Sequence, residues 1–540
     1  MIRSLFLCIN LFASLSLSAI APLDAALVHF DKSFYVSGEV VWYKLYLPAS
    51  AQGKDFSVQV VVVNGGGVSV GKMFLAVEKN ASCQGHFSLP FNAESGVYTF
   101  VFTASRKDGT TDELLRASIP VYNDLNITVE KTAVQPVSVG TPTNPPNELK
   151  VSVQVVSDGL PAPRQTVRLK INVADQMGNP VSAEGSASVT DDELCGGKVL
   201  FADNFQMGGT VTSGAEWLPG VYLSGLVKSN FGNLMTSSLL PVLDLETHQL
   251  YFTKSAQGVF TLQMPAFTGV HRLQMVGVVE EPFKVTWNEA MNKSSKQQLA
   301  YTAGILQYLD LSRKRKKIYQ FYGLQDTELK LQAAALKPIE WKGKQFYKVQ
   351  NYERFPDLAT FFQEIIWRVK FVMKGERFTA KMYNVETHTD FEEPPLFIVD
   401  EKATYDADFI AKLDPAGIET IELLFEPKLM RKYYPAIGGG GVVRIKTLLG
   451  NQSLPAEKES EIISLSGLSL PATFPVVQPN AAEPILHPVV FWQPSFTTDK
   501  NGAYVLSFVQ TDDRSTFCAE VLVQDPDGRR GYARFCYKVE

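Results

Sequence analysis

"FYVSGEVVWYKLYL", residues 34–47, alternates through Tyr35, Val41, Tyr43 and Tyr46 after a Ser-Gly turn. A period of two is the mark of strands with one face in a core and one face outside it. "VQVVVVN", "HFSLPF" and "GVYTFVFTAS" follow at the regular spacing of a β-sandwich, so residues 26–122 read as a first sandwich.

The texture repeats over 123–245 in "ELKVSVQVVSDG", "QTVRLKINVAD" and "GSASVTDDEL", with Pro-rich "TPTNPPNE" at 141–148 inside or at the edge of this second unit. "QLYFTKSAQGVFTLQMP" and "VHRLQMVGVVE" make 246–290 a further β segment. Near 290 helix formers take over, and 291–340 reads as a helical connector. "DLATFFQEIIWRVKF" places Leu358, Phe361, Phe362, Ile365, Ile366 and Val369 on one helical face, with Asp357 as its cap. A shorter helix near 405–413 and the strands "GIETIELLFEP" and "GVVRIKTLL" complete a small α+β unit over 341–448. A linker spans 449–484, and 485–540 returns to β texture as a C-terminal unit. The fold class is mainly β, with tandem sandwiches and one small α+β domain.

The 540 residues suffice for three to five domains, and 45% hydrophobic with 20% charged residues is the composition of a folded protein. A net charge of -5 is too small to argue for nucleic acid or for an acidic membrane surface as partner. The basic run "SRKRKK", Ser312 to Lys317, reads as the solvated face of a helix. In residues 1–25, Arg3 precedes "LFLCINLFASLSLSAIA", an apolar run of signal-peptide type that ends in small residues. Cys8 lies within that run and not at its end, which argues against lipid attachment there. No other segment reads as a membrane span, and the expectation is export.

Motifs that would carry chemistry are incomplete. "GGGVSVGKM", Gly65 to Met73, has P-loop spacing, but Met73 stands where a hydroxyl should bind the metal ion, and strands flank it where a helix is needed. The six histidines, His29, His86, His248, His271, His388 and His487, are scattered without metal-site spacing. There is no Gly-x-Ser-x-Gly elbow. The reading is a non-enzyme with no catalytic residue, cofactor or metal. Cys518 and Cys536 flank "AEVLVQDPDGRRGYARF", two alternating strands around an Asp-Pro-Asp-Gly turn, so a hairpin centred near Asp527 sets them opposite one another as a candidate disulfide. Nothing pairs Cys83 with Cys195.

Two stretches resemble known families. "HFDKSFYVSGEVVWYKLYL" (His29 to Leu47) and "ESGVYTFVFTAS" (Glu94 to Ser105) resemble the MG2-type macroglobulin domain, in the version found in envelope proteins of Bacteroidota; the matching residues are Asp31, Tyr35, Gly38 and Glu39. "SASVTDDEL" and "FWQPSFTTDKNGAYVLSFVQTDDRSTFCAEV" look like further modules of macroglobulin type. Residues Pro394 to Thr447 resemble the plug domain of TonB-dependent outer-membrane receptors, with Asp400, Ile418, Glu419, Ile421, Gly441 and Val442 among the matches. Glu401 departs from that pattern, which has glycine there. Fewer than 100 residues follow Thr447, too few for a receptor barrel.

The resemblances imply macroglobulin-like sandwiches as a rigid spacer and a plug-like domain as interaction module. The expected partners are outer-membrane or periplasmic proteins, met in the periplasm or at the outer membrane. The alternative is a macroglobulin-like protease inhibitor. It would act without a thioester, since "LCGGK" around Cys195 lacks the glutamine that a thioester needs, and a bait-like cut would fall in 449–484.

Overall fold

The computed structural model describes residues 25–107, 110–125, 146–156, 161–195, 205–210, 215–229, 231–235, 239–277, 283–287, 299, 301–322, 345–455, 462–475 and 484–540. The signal-type stretch before Ala25, the Pro-rich 141–145 and most of the helical connector lie outside these residues. The described fold is mainly β: three two-sheet sandwiches and one α+β unit.

In the first sandwich, strands Ala25–Phe30, Val40–Tyr46 and Ser82–Ser88 form one sheet, joined at its edge by Phe205–Thr210. The facing sheet runs Tyr35–Val36, Thr111–Tyr122, Gly96–Ser105, Ser57–Val63, Ser69–Ala76. "GGGVSVGKM" lies across the turn and second strand of an antiparallel hairpin in this sheet. Val41, Tyr43 and Leu45 point into the shared core with Phe100 and Phe102. Trp42, Lys44 and Tyr46 point the other way, yet they too are buried, because the second sandwich covers that face. Tyr46 therefore departs from the expected core alternation: it donates to Ser186 Oγ at 2.8 Å.

The expected domain boundaries do not match the sheets. Of the expected 123–245 sandwich, only Lys150–Val155, Thr166–Ala174 and Glu184–Asp191 belong to the second sandwich. Its remaining strands, Ala503–Val509, Val489–Thr497, Thr516–Gln524 and Arg530–Lys538, come from 485–540, which is no separate unit. The third sandwich takes Val221–Ser229 and Leu239–Asp244 together with Leu250–Lys254, Val259–Met264, Val270–Met275 and Phe283–Trp287. Its last strand is Ile462–Ser466, from the supposed linker. The chain is thus nested: the α+β unit is inserted in the third sandwich, and the third sandwich in the second. Alternation along a strand reports burial but not which strand is the neighbour, so short-range reading divides such a chain in sequence order.

The α+β unit has a five-stranded sheet in the order Gln345–Lys348, Ile418–Leu424, Val442–Thr447, Leu396–Val399, Lys402–Thr404. Helix Leu358–Ile365 is capped by Asp357, whose Oδ1 accepts from Thr360 N at 2.8 Å. It ends two turns on, and Val369 opens a strand, Val369–Lys374, hairpinned with Arg377–Asn384. Leu358, Phe361, Phe362 and Ile366 share a core with Val369, Ile421 and Ile445.

Candidate functional site

The residues that carry the plug resemblance are architecture. Ile418, Ile421 and Val442 are buried in the α+β cores. Glu419 pairs with Lys446 at 2.9 Å on the surface. Asp400 fastens the end of the Val442–Thr447 strand: it accepts from Thr447 N at 2.8 Å, Thr447 Oγ1 at 2.5 Å and Gln452 N at 2.8 Å. The structure brings Asp400 to Thr447 but does not gather the six into one cleft.

The run Gly438 to Gly441 is dictated by close approach. A Cβ on Gly440 would lie 2.2 Å from the Pro394 carbonyl oxygen. Gly441 has φ +92°, a left-handed conformation, and its Cβ would strike Met382 Sδ at 2.2 Å. The turn opens a strand, as a phosphate-cradling loop does not.

Glu401, in the position where the plug pattern has glycine, has φ +73°. An L side chain is disfavoured there, so its position has a cost in strain. In return the carboxylate reaches Arg444 at 2.7 Å and His248 of the third sandwich at 2.9 Å. Burial alone would raise this carboxyl; the hydrogen bond to His248 and the charge of Arg444 outweigh it and hold Glu401 below its usual range. Beside it, Gln274 exchanges two hydrogen bonds with the Ala403 backbone, each 2.7 Å. Leu243, Leu245 and Val276 close the same seam against Leu396, Ile398 and Leu424.

A second polar junction forms around the residues of the MG2 resemblance. Asp31 Oδ1 accepts from Tyr35 Oη at 2.5 Å and Trp42 N at 2.9 Å. Glu39 receives Lys32 at 2.5 Å, Tyr308 Oη at 2.8 Å and Arg315 at 3.1 Å. Burial pushes the Asp31 carboxyl up to about 7, with Lys32 pulling against it. Burial would raise Glu39 too, but Lys32 and Arg315 together hold it at about 2.

Tyr308 and Arg315 come from helix Ala303–Phe321, and they correct the reading of "SRKRKK" as a solvated face. Arg313 and Lys314 do face solvent, near Asp310. Ser312 and Lys316, one turn apart, both bond Asp124, while Arg315 turns to Glu39. At 3.6 residues per turn these three share a face with Ile305, Tyr308 and Tyr319, so half of the basic run is committed to internal pairs. A half-open cavity of about 210 Å³ adjoins this junction, between Trp42, Phe91, Phe474, Arg315 and His487. Its cations already have partners, and burial with Arg315 nearby holds His487 neutral down to about 4.

Between the first two sandwiches, Lys44 forms a buried ion pair with Glu184, and His29 Nδ1 lies 2.7 Å from Ser186 Oγ. Burial, then Lys44, lowers His29 to about 3. Sequence reasoning missed these groups because alternation assigns Lys44 to water. The visible signal was a lysine between Tyr43 and Leu45 in an otherwise apolar strand.

Cys518 and Cys536 sit opposite in register and are disulfide-bonded, Cα atoms 4.1 Å apart. Cys83 and Cys195 are free, and burial raises both thiols, Cys195 to about 12. Among the described residues no cluster of three His, Cys, Asp or Glu could hold a metal ion, and no helix is long and apolar enough to cross a membrane.

No family model matches the chain, and no curated protein matches it. Among solved structures, Escherichia coli alpha-2-macroglobulin activated by porcine elastase aligns over 95% of this chain and 43% of that one, at 8% identity and TM-score 0.25. Salmonella alpha-2-macroglobulin reacted with methylamine aligns over 96% and 39%, at 10% identity and TM-score 0.24. A tetra-tandem repeat from the extending region of a large adhesion protein aligns over 96% and 99%, at 8% identity and TM-score 0.15. This chain spans about two fifths of the macroglobulins' length. Likenesses at these scores carry no argument about its function.

Proposed function

We propose that the chain is an exported, non-catalytic adaptor of a bacterial envelope, in which stacked sandwiches present the α+β unit as an interaction module. The observation that carries the reading is the way the α+β unit is mounted. Its C-terminal end returns to the third sandwich through Ile462–Ser466, and its inner edge is clamped there by Gln274 and Glu401. The opposite edge strand, Gln345–Lys348, has no partner on its outer side among the described residues. It exposes Phe346 at 60%, and Arg368, bonded to Gln345 at 3.2 Å, stacks on Trp367, exposed at 57%. A free strand edge flanked by aromatic side chains suits addition of a partner strand. The signal-type stretch before residue 26 supports export, and the plug resemblance supports a partner in outer-membrane transport or secretion machinery.

The test is photocrosslinking in intact cells from Phe346 and Trp367, with Met177 on the second sandwich as control. Envelope proteins captured from the first two positions and not from Met177 support the module. Equal capture from all three, or none, sinks it.

A further inference from the structure

The hairpin of Val369–Lys374 with Arg377–Asn384 has two chemically different faces. Val369, Phe371, Ala380 and Met382 face the core. The other face carries Lys370, Val372, Lys374, Arg377, Thr379 and Lys381, all exposed. The register sets Lys370 directly opposite Lys381, and Lys374 directly opposite Arg377. Like charges directly opposed across an antiparallel pair are destabilising, so this face twice carries an unfavourable arrangement that the fold does not need.

The neighbouring acids do not neutralise it. Asp390 approaches Lys370 only to 4.0 Å. Asp408 feels Arg377 but bonds Lys412 at 2.6 Å and accepts from Phe378 N at 3.1 Å. Glu376 sits in the turn. Lys374 and Lys381 have no ion pair among the described residues. Amid these cations Val372 is 52% exposed.

We propose that this outer face docks on the headgroup layer of an anionic phospholipid bilayer. Lipid phosphates would sit between the opposed cations and remove their repulsion, while Val372 enters the interfacial layer. A dissolved polyanion would satisfy the cations but gives the apolar Val372 among them nothing, so the lipid surface fits the whole face. The inference goes beyond the adaptor reading and concerns lipid alone; a protein-free vesicle assay lets either one fail without the other.

The test uses the chain from Ala25, which keeps every described strand. It is co-sedimented with phosphatidylcholine vesicles, and with vesicles containing one third phosphatidylglycerol. Expected are binding to the anionic vesicles only, weakening with salt, and a loss of roughly fivefold per cation in the series Lys370→Gln, Lys374→Gln, Arg377→Gln, Lys381→Gln. The quadruple variant relieves both like-charge pairs, so its Tm should equal or exceed that of the parent, which separates lost binding from lost folding. The variant Val372→Asn should also bind less. Absence of binding, or an unchanged quadruple variant, overturns the proposal. So does binding that ignores the Val372 change and is competed away by heparin, which would assign the face to a soluble polyanion.

Discussion

Gln274 donates its side-chain amide to the Ala403 carbonyl and accepts the Ala403 N–H, both at 2.7 Å, across the seam between the third sandwich and the α+β unit. One side chain thus completes the edge of the sheet that ends at Lys402–Thr404. Gln274→Leu would leave a buried donor and acceptor unmatched, at about 1–3 kcal/mol for each group. The expected outcome is faster amide exchange at Ala403 and an α+β unit that opens before the sandwiches do. Unchanged exchange at Ala403 would mean that the apolar seam alone holds the unit.

The Lys44–Glu184 pair binds the first sandwich to the second in a site that water barely reaches. Breaking it on one side, by Lys44→Met, leaves a buried charge and should cost about 3–5 kcal/mol. The double change Lys44→Met, Glu184→Leu should recover most of that loss, since desolvation of both ions is then avoided. Denaturant unfolding of the parent, both single variants and the double variant measures the coupling. Additive losses would show that the two charges act independently.

Asp31 and His29 give stability opposite dependences on pH. Asp31, raised from 3.8 to about 7, keeps a proton in the fold that the unfolded chain releases. Its contribution is whole below 3.8 and is lost as pH rises through 7. His29, lowered from 6.5 to about 3, stays neutral in the fold; its contribution is present above 6.5 and lost as pH falls through 3. Each slope is about 1.4 kcal/mol per pH unit where they overlap, roughly pH 4 to 6.5. Asp31→Asn removes the falling slope, so the variant should gain stability with pH more steeply than the parent across that window. Urea unfolding at three pH values checks it; parallel profiles would mean that Asp31 is ionised in the fold.

Gly440→Ala and Gly417→Ala separate a packed glycine from an unhindered one. A Cβ at 440 meets the Pro394 carbonyl at 2.2 Å, whereas a Cβ at 417 meets nothing within 4 Å. The first change should lower stability by about 2 kcal/mol or more, and the second should stay within about 0.5 kcal/mol. Thermal unfolding of both variants makes the comparison. Equal Tm values would show that the turn at 438–441 can relax.

The Cys518–Cys536 bond closes a loop with a sequence separation of 18. Replacing both cysteines by serine should cost about 3 kcal/mol, mainly by freeing the unfolded chain. The hairpin register stays determined by the turn at Asp525, whose Oδ1 accepts from Asp527 N and Arg529 N. Unfolding in denaturant, with and without reductant, reports the difference. A reductant effect on the double-serine protein would point instead to Cys83 or Cys195.

Local chemistry made much of this legible from residues alone. Period-two alternation located the strands. Asp357 marked a helix start, Asp-Pro-Asp-Gly marked the hairpin that aligns Cys518 with Cys536, and the glycines at 438–441 marked a turn before a strand. Each signal is read within about ten residues, the range over which backbone preference and side-chain period act. Which strands share a sheet was decided at long range. Ala503–Val509 lies beside Thr166–Ala174, and Ile462–Ser466 beside Val270–Met275, pairings that bury apolar residues of both strands in one core. For the same reason Lys44 and Arg315, polar in the sequence, became interior groups once a second surface closed over them. Alternation says that a side chain leaves its own core; only tertiary packing decides whether it then meets water or another domain.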